Sequence, residues 1–134
     1  MQAAIQTSPV SKTALWAGRV MSALPILFLI FDGVTHLMQI APVMDAFRQL
    51  GYPTSLAVEI GLIELVCVIV YLIPSTSVLG AILLTGYLGG AIVPHVRIGD
   101  SLFTQIFPII LGLLLWGGLY LRNDRLRALI PLRK

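Results

Sequence analysis

The sequence predicts an all-α polytopic membrane protein, an antiparallel four-transmembrane-helix bundle with a short interfacial helix between helices 1 and 2. Three observations support this fold class. Apolar residues make up 57% of the chain and charged residues only 11%, against roughly 25% charged residues in an ordinary soluble domain. Four long apolar stretches fill most of the 134 residues, and each is close to the ~20 residues that an α-helix needs to cross a bilayer core. The connections between them are too short for a separate soluble domain, so residues 12–134 are expected to form one domain.

The apolar stretches define the predicted spans, which cover residues 15–37, 56–73, 78–96 and 102–120. Residues 1–11 are rich in Gln, Ser and Thr and are predicted to be a disordered cytoplasmic tail. The first span is expected to remain attached to the protein, because its apolar core is long for a signal peptide and no A-x-A cleavage pattern follows it.

The connection between the first two spans carries the start and stop signals of a short helix. Pro42 suits a first helical position and Gly51 follows the last one. Apolar residues at positions 43, 44, 47 and 50 recur on one helical face. Such a face suits a helix that lies on the outer leaflet or caps the bundle.

The second and third spans are joined by residues 74–77, an uncharged Pro-Ser-Thr-Ser turn that predicts antiparallel neighbours. The third span is rich in small residues. Gly86 and Gly90 form a small-xxx-small pair of the kind that lets two helices approach closely. We therefore expect Gly86 and Gly90 to mediate helix packing inside the bundle, and a homodimer seam is the alternative.

The distribution of basic residues predicts the orientation. Four spans place both termini on one side, and that side carries seven of the nine Lys and Arg residues, several of them in a basic interfacial tail over residues 122–134. An excess of positive charge marks the cytoplasmic side, so we expect a multi-pass protein of the cell membrane with both termini cytoplasmic. The aromatic residues predicted to lie at the inner interface are Trp16, Tyr71, Trp116 and Tyr120. These basic flanks suit anionic lipid headgroups rather than nucleic acid.

Polar residues inside the spans are the candidates for function, because their burial in a membrane is costly. The candidates for ligand binding or proton relay, all in the outer half of the bundle, are Asp32, His36, Glu64, Tyr87 and His95. Asp32 and His36 are four positions apart and therefore share a helix face. Glu59 and Glu64 are separated by roughly 140° around their helix, and the deeper Glu64 is expected to face the interior.

A purely structural role fits the same residues. Asp32 and Glu64 are a possible interhelical pair that sets helix packing, His36 is a partner for Asp32, and His95 lies close enough to the outer rim to be solvated. The lone Cys67 lies in the middle of the second span, so it can form neither a disulfide within the chain nor a dithiol pair. It is expected to be a small buried apolar side chain.

Five runs of the sequence, taken together and in order, also carry a family resemblance. They are FDGVTH at 31–36, FRQLGYP at 47–53, GLIEL at 61–65, LGAILLTGYLGGA at 79–91 and HVRIGD at 95–100. They resemble the DoxX-like family of small four-helix membrane proteins, over about residues 14–130. The family takes its name from a small subunit of a thiosulfate:quinone oxidoreductase, and more distant relatives resemble chaperones of membrane receptors. The resemblance thus implies a four-helix membrane fold and a membrane partner of redox complexes.

Three classes of function follow from the residues and the resemblance. The first is a redox-associated membrane subunit whose polar site binds a quinone-like headgroup or relays protons, with a redox complex or another membrane protein as partner. The second is a non-catalytic membrane interaction or assembly protein. The third is a small-solute transporter, which would require inverted repeats or broken spans that the sequence does not display.

Cofactors and enzyme activity are constrained by the motifs. A quinone is the ligand that the first class predicts. The potential metal or haem ligands come singly along the chain, without an E-x-x-H or H-E-x-x-H pair, and this pattern argues against both groups. Nucleophile elbows, phosphate loops and dinucleotide fingerprints do not occur in the sequence, so no catalytic residue is assigned and no autonomous enzyme activity is expected.

Overall fold

The computed structural model describes residues 9–130, which are all-α as predicted and contain no strand. The helices are α1 Lys12–Met38, α2 Ala41–Leu50, α3 Leu56–Leu72, α4 Ser77–Arg97, α5 Leu102–Arg122 and α6 Asp124–Leu129. A 3₁₀ turn, Pro74–Thr76, joins α3 to α4. Most of the predicted disordered tail, residues 1–8, lies outside the described residues.

The helix ends follow local capping signals. The Ser11 hydroxyl accepts a hydrogen bond from the Ala14 amide at 3.1 Å, so α1 begins at Lys12, three residues before the predicted span. Ser101 caps α5 in the same way. Gly51 ends α2 in the left-handed conformation, at φ 77°, which glycine adopts without a steric penalty. A short helix therefore connects the first two long helices, at the residues where the sequence predicted one.

Three helical segments are long and apolar enough to cross a membrane: Lys12–Met38, Pro74–Arg97 and Leu102–Arg122. The fourth long helix, α3, has 17 residues and is about 26 Å long, against a bilayer core of about 30 Å. Many large apolar side chains point away from the interior. Phe31, Leu27 and Leu113 expose about two thirds of their surface, which is the arrangement expected of a bundle solvated by lipid.

The four long helices pack in a ring in which α1 contacts α3 and α5, and α4 contacts the same two helices. Paired contacts show that neighbours run antiparallel. Between α3 and α4, Tyr71 meets Gly80 and Glu64 meets Tyr87. The interior between the helices is filled by apolar residues, among them Leu29, Val68, Leu84 and Leu115. Cys67 lies in this core as predicted.

The close helix contacts do not involve the glycines that the sequence indicated. A Cβ atom built on Gly86 or Gly90 would meet no heavy atom of the described chain within 4 Å. The prediction that these two residues mediate packing inside the bundle is therefore wrong. The backbones of α1 and α5 instead approach at Gly18 and Gly118, where a Cβ on Gly118 would lie 2.7 Å from the Gly18 carbonyl oxygen. The motif spacing did not reveal which face of α4 is turned toward its neighbours.

Other close approaches also lie at glycines outside the predicted pair. A Cβ on Gly61 of α3 would lie 2.9 Å from the Gly33 carbonyl oxygen of α1. A Cβ on Gly80 of α4 would lie 2.3 Å from the Tyr71 backbone nitrogen. Small residues therefore do allow the helices to approach closely, as expected of membrane bundles. The close approaches are between α1 and α5, between α1 and α3, and between α3 and α4, and none involves Gly86 or Gly90.

The side chain of Tyr71, at the end of α3, is turned into the bundle. Its side chain is 3% exposed, and its hydroxyl donates to the Leu115 carbonyl at 2.7 Å. The Ser22 hydroxyl lies 2.7 Å from the Tyr71 hydroxyl. The Arg122 guanidinium donates to the Ser22 hydroxyl oxygen at 2.9 Å and to the Tyr71 hydroxyl oxygen at 3.2 Å. Tyr71 thus ties together three helices inside the bundle, because a buried hydroxyl must find partners.

The segment after α5 forms a short helix against the end of the bundle. Leu126 of α6 is buried in the core, and the Arg127 guanidinium donates to the backbone carbonyls of Tyr120 and Leu121. Asn123 caps α6 by accepting from the Leu126 amide at 3.1 Å. Residues 131–134 of the predicted basic tail lie outside the described residues.

Candidate functional site

A cavity of about 630 Å³ opens between α1, α2, α3 and α4, at the end of the bundle where α1 ends and α3 begins. Its volume falls in the range of small-molecule sites, about 300–1,000 Å³. Most of its walls are apolar. Four of the five predicted site residues line it: Asp32, His36, Tyr87 and His95.

Asp32 and His36 occupy the α1 side of the cavity. The His36 Nδ1 atom lies 2.7 Å from the Asp32 backbone oxygen and 3.6 Å from the Asp32 carboxylate. The spacing of four residues brings the two side chains onto one helix face, as the sequence predicted. The ring of Phe47, from α2, packs edge-on against the imidazole with centroids 5.5 Å apart. This packing and the backbone contact hold the imidazole in one orientation.

Glu64 lies behind the cavity wall and is fully buried, with 0% of its surface exposed. Its Oε2 atom accepts a hydrogen bond from the Tyr87 hydroxyl at 2.9 Å. Its Oε1 atom has no hydrogen-bond partner among the described residues. Glu59, one and a half turns earlier, is exposed, so the choice of Glu64 as the inward-facing carboxylate is confirmed. An unpaired buried acceptor carries a desolvation cost of about 1–3 kcal/mol.

The fold brings three of the predicted residues into one cluster. One donor atom each from Asp32, His36 and Glu64 lies within 4.8 Å of the other two. Because the residues come from α1 and α3, the cluster depends on the close approach of these helices at Gly33 and Gly61. Chemically, the cluster offers two carboxyl groups and one imidazole, which can bind a proton or a cation and can donate hydrogen bonds to a ligand in the cavity.

His95 lies at the mouth of the cavity and apart from this cluster. Its Nδ1 atom is 2.8 Å from a carboxylate oxygen of Asp100, in the loop between α4 and α5. This hydrogen bond, together with one from the Ser101 amide, holds the pKa of the Asp100 carboxyl below its ordinary value of 3.8. His95 therefore has a hydrogen-bond partner, Asp100, that was not among the residues predicted to form the site.

α2 covers the cavity and is held at its C-terminal end by α4. The Arg97 guanidinium donates a hydrogen bond to the Leu50 carbonyl, one of the free carbonyls at a helix end. The sequence identified the α2 helix but gave no signal for this contact, because Leu50 and Arg97 are far apart in the chain. Phe47 was visible in the sequence only as part of an apolar helix face.

Gly86 and Gly90 also line the cavity. Without side chains, they leave open the volume beside the Tyr87 ring. The two glycines predicted to mediate packing thus contribute space to the site instead.

Comparison with known proteins identifies a family for this chain. A family model described as DoxX-like family matches residues 20–118, which include every predicted site residue. The chain therefore belongs to the DoxX-like family, and the resemblance read from its sequence motifs is confirmed. No curated protein and no solved structure matches the chain significantly.

Proposed function

We propose that this member of the DoxX-like family is a redox-associated membrane subunit whose cavity binds a quinone-like ligand and exchanges protons with it. The observation that carries the proposal is the cavity itself, which combines apolar walls with a polar side made of Asp32, His36 and Tyr87. A quinone ring is flat and apolar, and its two carbonyl oxygens accept hydrogen bonds. The hydroxyl of Tyr87 is a donor of the required kind once it turns from Glu64 toward a ligand, and the imidazole of His36 donates through Nε2 when both ring nitrogens carry hydrogen.

The membrane arrangement proposed for this function has four spans. α3 is short, but it lies between α1 and α4 in the ring and runs antiparallel to both. Its interior-facing residues pack into the same core as those of the three longer helices. A modest tilt or local thinning of the bilayer compensates for a short apolar helix. With both termini cytoplasmic, the cavity opens near the outer surface, and α2 lies over it.

Proton exchange is the chemistry that the buried polar residues support. Reduction of a quinone adds protons to its carbonyl oxygens. Glu64 accepts from Tyr87, and Tyr87 lines the cavity, so a path of polar groups runs from the buried carboxyl to the ligand. Histidine is the side chain whose ordinary pKa lies closest to neutral. In this proposal the electrons come from a partner redox protein, and the single Cys67 offers no dithiol couple of its own.

A thermal protection assay tests ligand binding. Tag-free protein in lipid nanodiscs is unfolded with and without a short-chain quinone. We expect an increase in Tm that saturates with quinone concentration, since a ligand that binds only the folded state stabilises it. The matched control ligand is the same ring with both oxygens methylated, which keeps the apolar surface but lacks the carbonyl acceptors.

Two variants identify the binding residues. Tyr87→Phe and His36→Leu each remove one hydrogen-bond donor, so each should weaken quinone protection. Thr85→Val, which changes a residue of α4 whose hydroxyl bonds to Ala81 and Trp116 instead, should leave it intact. Equal protection by the methylated ring, or no protection at all, would contradict the quinone proposal. Co-purification of a stoichiometric partner together with absent quinone binding would favour a non-catalytic assembly role.

A further inference from the structure

We infer that Asp32, His36 and Glu64 together form a binding site for a first-row divalent cation of the Zn²⁺, Mn²⁺ or Fe²⁺ type. One donor atom from each residue lies within 4.8 Å of the others. Donor atoms that share one ion at about 2.1 Å are at most about 4.2 Å apart. The cluster therefore needs less than about 1 Å of side-chain movement to close around an ion.

The state of Glu64 gives independent support for a ligand at this position. The side chain is fully buried, and its Oε1 atom has no hydrogen-bond partner in the described part of the chain. Buried polar atoms in native proteins nearly always have a partner. Tyr87 occupies only the other oxygen, so Oε1 remains available to a ligand.

The charges of the cluster also favour a divalent ion. Two carboxyl groups this close in an apolar bundle cannot both be ionised without a partner, because the charged forms repel each other and lose their hydration, and a cation of charge +2 would offset both costs. Described basic side chains elsewhere have other contacts: Arg122 bonds to Ser22 and Tyr71, and Arg97 bonds to Leu50. Neither guanidinium is bonded to this cluster.

The identity of the donors selects the class of metal. One imidazole nitrogen and two carboxylate oxygens suit first-row transition cations and Zn²⁺, whereas Ca²⁺ takes six to eight oxygen ligands. The His36 Nδ1 atom lies 3.6 Å from the Asp32 carboxylate and 2.7 Å from the Asp32 backbone oxygen, and a contact of the imidazole with a backbone carbonyl is common at metal sites.

Asp32 and His36 also line the cavity, so a bound ion would face it. Three protein ligands leave at least one coordination position for water or another small molecule, as in zinc sites that are not purely structural. The sequence argued against a metal because the ligands come singly along the chain. The fold brings them together from α1 and α3. This inference does not depend on quinone binding.

Direct metal binding tests the site. Tag-free protein, stripped with a chelator and returned to nanodiscs, is titrated with Co²⁺ and followed by its visible absorption, and Zn²⁺ is then added as competitor. We expect one equivalent of Co²⁺ to bind with the d–d bands of a nitrogen and oxygen site and to be displaced by Zn²⁺. Absence of stoichiometric Co²⁺ or Zn²⁺ binding to the folded wild-type protein overturns the inference.

Matched variants locate the ion. Asp32→Asn, His36→Gln and Glu64→Gln should each weaken Zn²⁺ binding by at least about tenfold, since each replaces a carboxylate or an imidazole with a weakly coordinating amide. Glu59→Gln, on the same helix as Glu64, and His95→Gln, in the same cavity wall, should retain wild-type affinity. If the two controls lose affinity as much as the three ligand variants, the ion lies elsewhere and the assignment is wrong.

A variant that fails to fold does not obscure the result, because the wild-type titration decides independently whether an ion binds. In addition, Zn²⁺ should raise the Tm of the wild-type protein and of Glu59→Gln. Quinone protection measured on chelator-treated protein separates this inference from the proposed function. Protection that persists without metal supports the quinone site alone, and metal binding without quinone protection supports the cation site alone.

Discussion

Glu64 is the residue of the proposed site whose burial costs the most free energy. It is fully buried, accepts one hydrogen bond from Tyr87 and has an oxygen without a partner among the described residues. A bundle selected only for stability would gain by replacing such a group with an apolar one. Its position beside Asp32 and His36 therefore points to a role in binding.

The variant Tyr87→Phe tests the hydrogen bond between Tyr87 of α4 and Glu64 of α3. The change leaves Glu64 Oε2 without a donor, and we expect a loss of about 1–3 kcal/mol in the free energy of unfolding. Tyr120→Phe is the matched control, because the ring that packs beside Arg127 is retained. Denaturant titration in nanodiscs measures both. Equal losses for the two variants would mean that the Glu64 contact contributes nothing specific.

Asp100 provides a test of pH dependence outside the spans. Its pKa is lowered by the hydrogen bond to His95, so the ionised carboxylate stabilises the folded state. The contribution is complete at pH values above the ordinary pKa of 3.8, and it is lost as the pH falls through the lower, folded-state pKa. Asp100→Asn should therefore lower the Tm slightly at neutral pH and should converge with the wild type in strong acid. A constant difference at all pH values would contradict this account.

At the scale of helices, the close contacts are set by glycines whose role the motif spacing did not reveal. Gly18, Gly33, Gly61, Gly80 and Gly118 lie where a Cβ would meet another helix. The Gly86 and Gly90 pair has the recognised spacing but faces open space within the chain. Periodicity along one helix defines a stripe of small residues, whereas the partner of that stripe depends on the rotation of the helix in the bundle.

Single alanine substitutions test these contacts. A Cβ on Gly118 would lie 2.2 Å from the Ser22 hydroxyl and 2.7 Å from the Gly18 carbonyl. Gly118→Ala should therefore force α1 and α5 apart and greatly reduce the yield of folded protein. Gly89→Ala, where a Cβ meets nothing within 4 Å, should be neutral or stabilising by up to about 1 kcal/mol. Size-exclusion yield and thermal unfolding measure both, and a tolerated Gly118→Ala would overturn the assigned contact.

The elements themselves were largely predictable, because their signals are local. Ser11, Ser101 and Gly51 mark helix ends through their own backbone and side-chain chemistry, and the apolar runs gave the long helices to within a few residues. The site was predictable in part. Asp32, His36, Glu64 and Tyr87 were chosen for polarity and depth, and depth along antiparallel helices is countable. The hydrogen-bond partners of Tyr71 and His95 could not be predicted from the sequence, because they depend on helix rotation and loop conformation.

For the whole molecule, the testable claim is a four-span arrangement with both termini cytoplasmic. Cysteine accessibility examines it with Ser75→Cys in the turn and Gln49→Cys in α2, both exposed positions, in a Cys67→Ala background. In intact cells, an impermeant reagent should label position 49 and not position 75 unless the membrane is disrupted. The reverse pattern would reject the orientation. Labelling of both positions in intact cells would mean that α3 does not cross the membrane.

The most direct test of the central claim, that the cavity is a ligand site, is to fill it. Gly90 lines the cavity, and a Cβ there meets nothing within 4 Å. Gly90→Leu should therefore fold with a Tm close to that of the wild type yet abolish protection by quinone, because its side chain occupies the ligand volume. Gly89→Leu, the same change one position away and outside the cavity lining, should keep that protection. Undiminished quinone protection in folded Gly90→Leu would contradict the account.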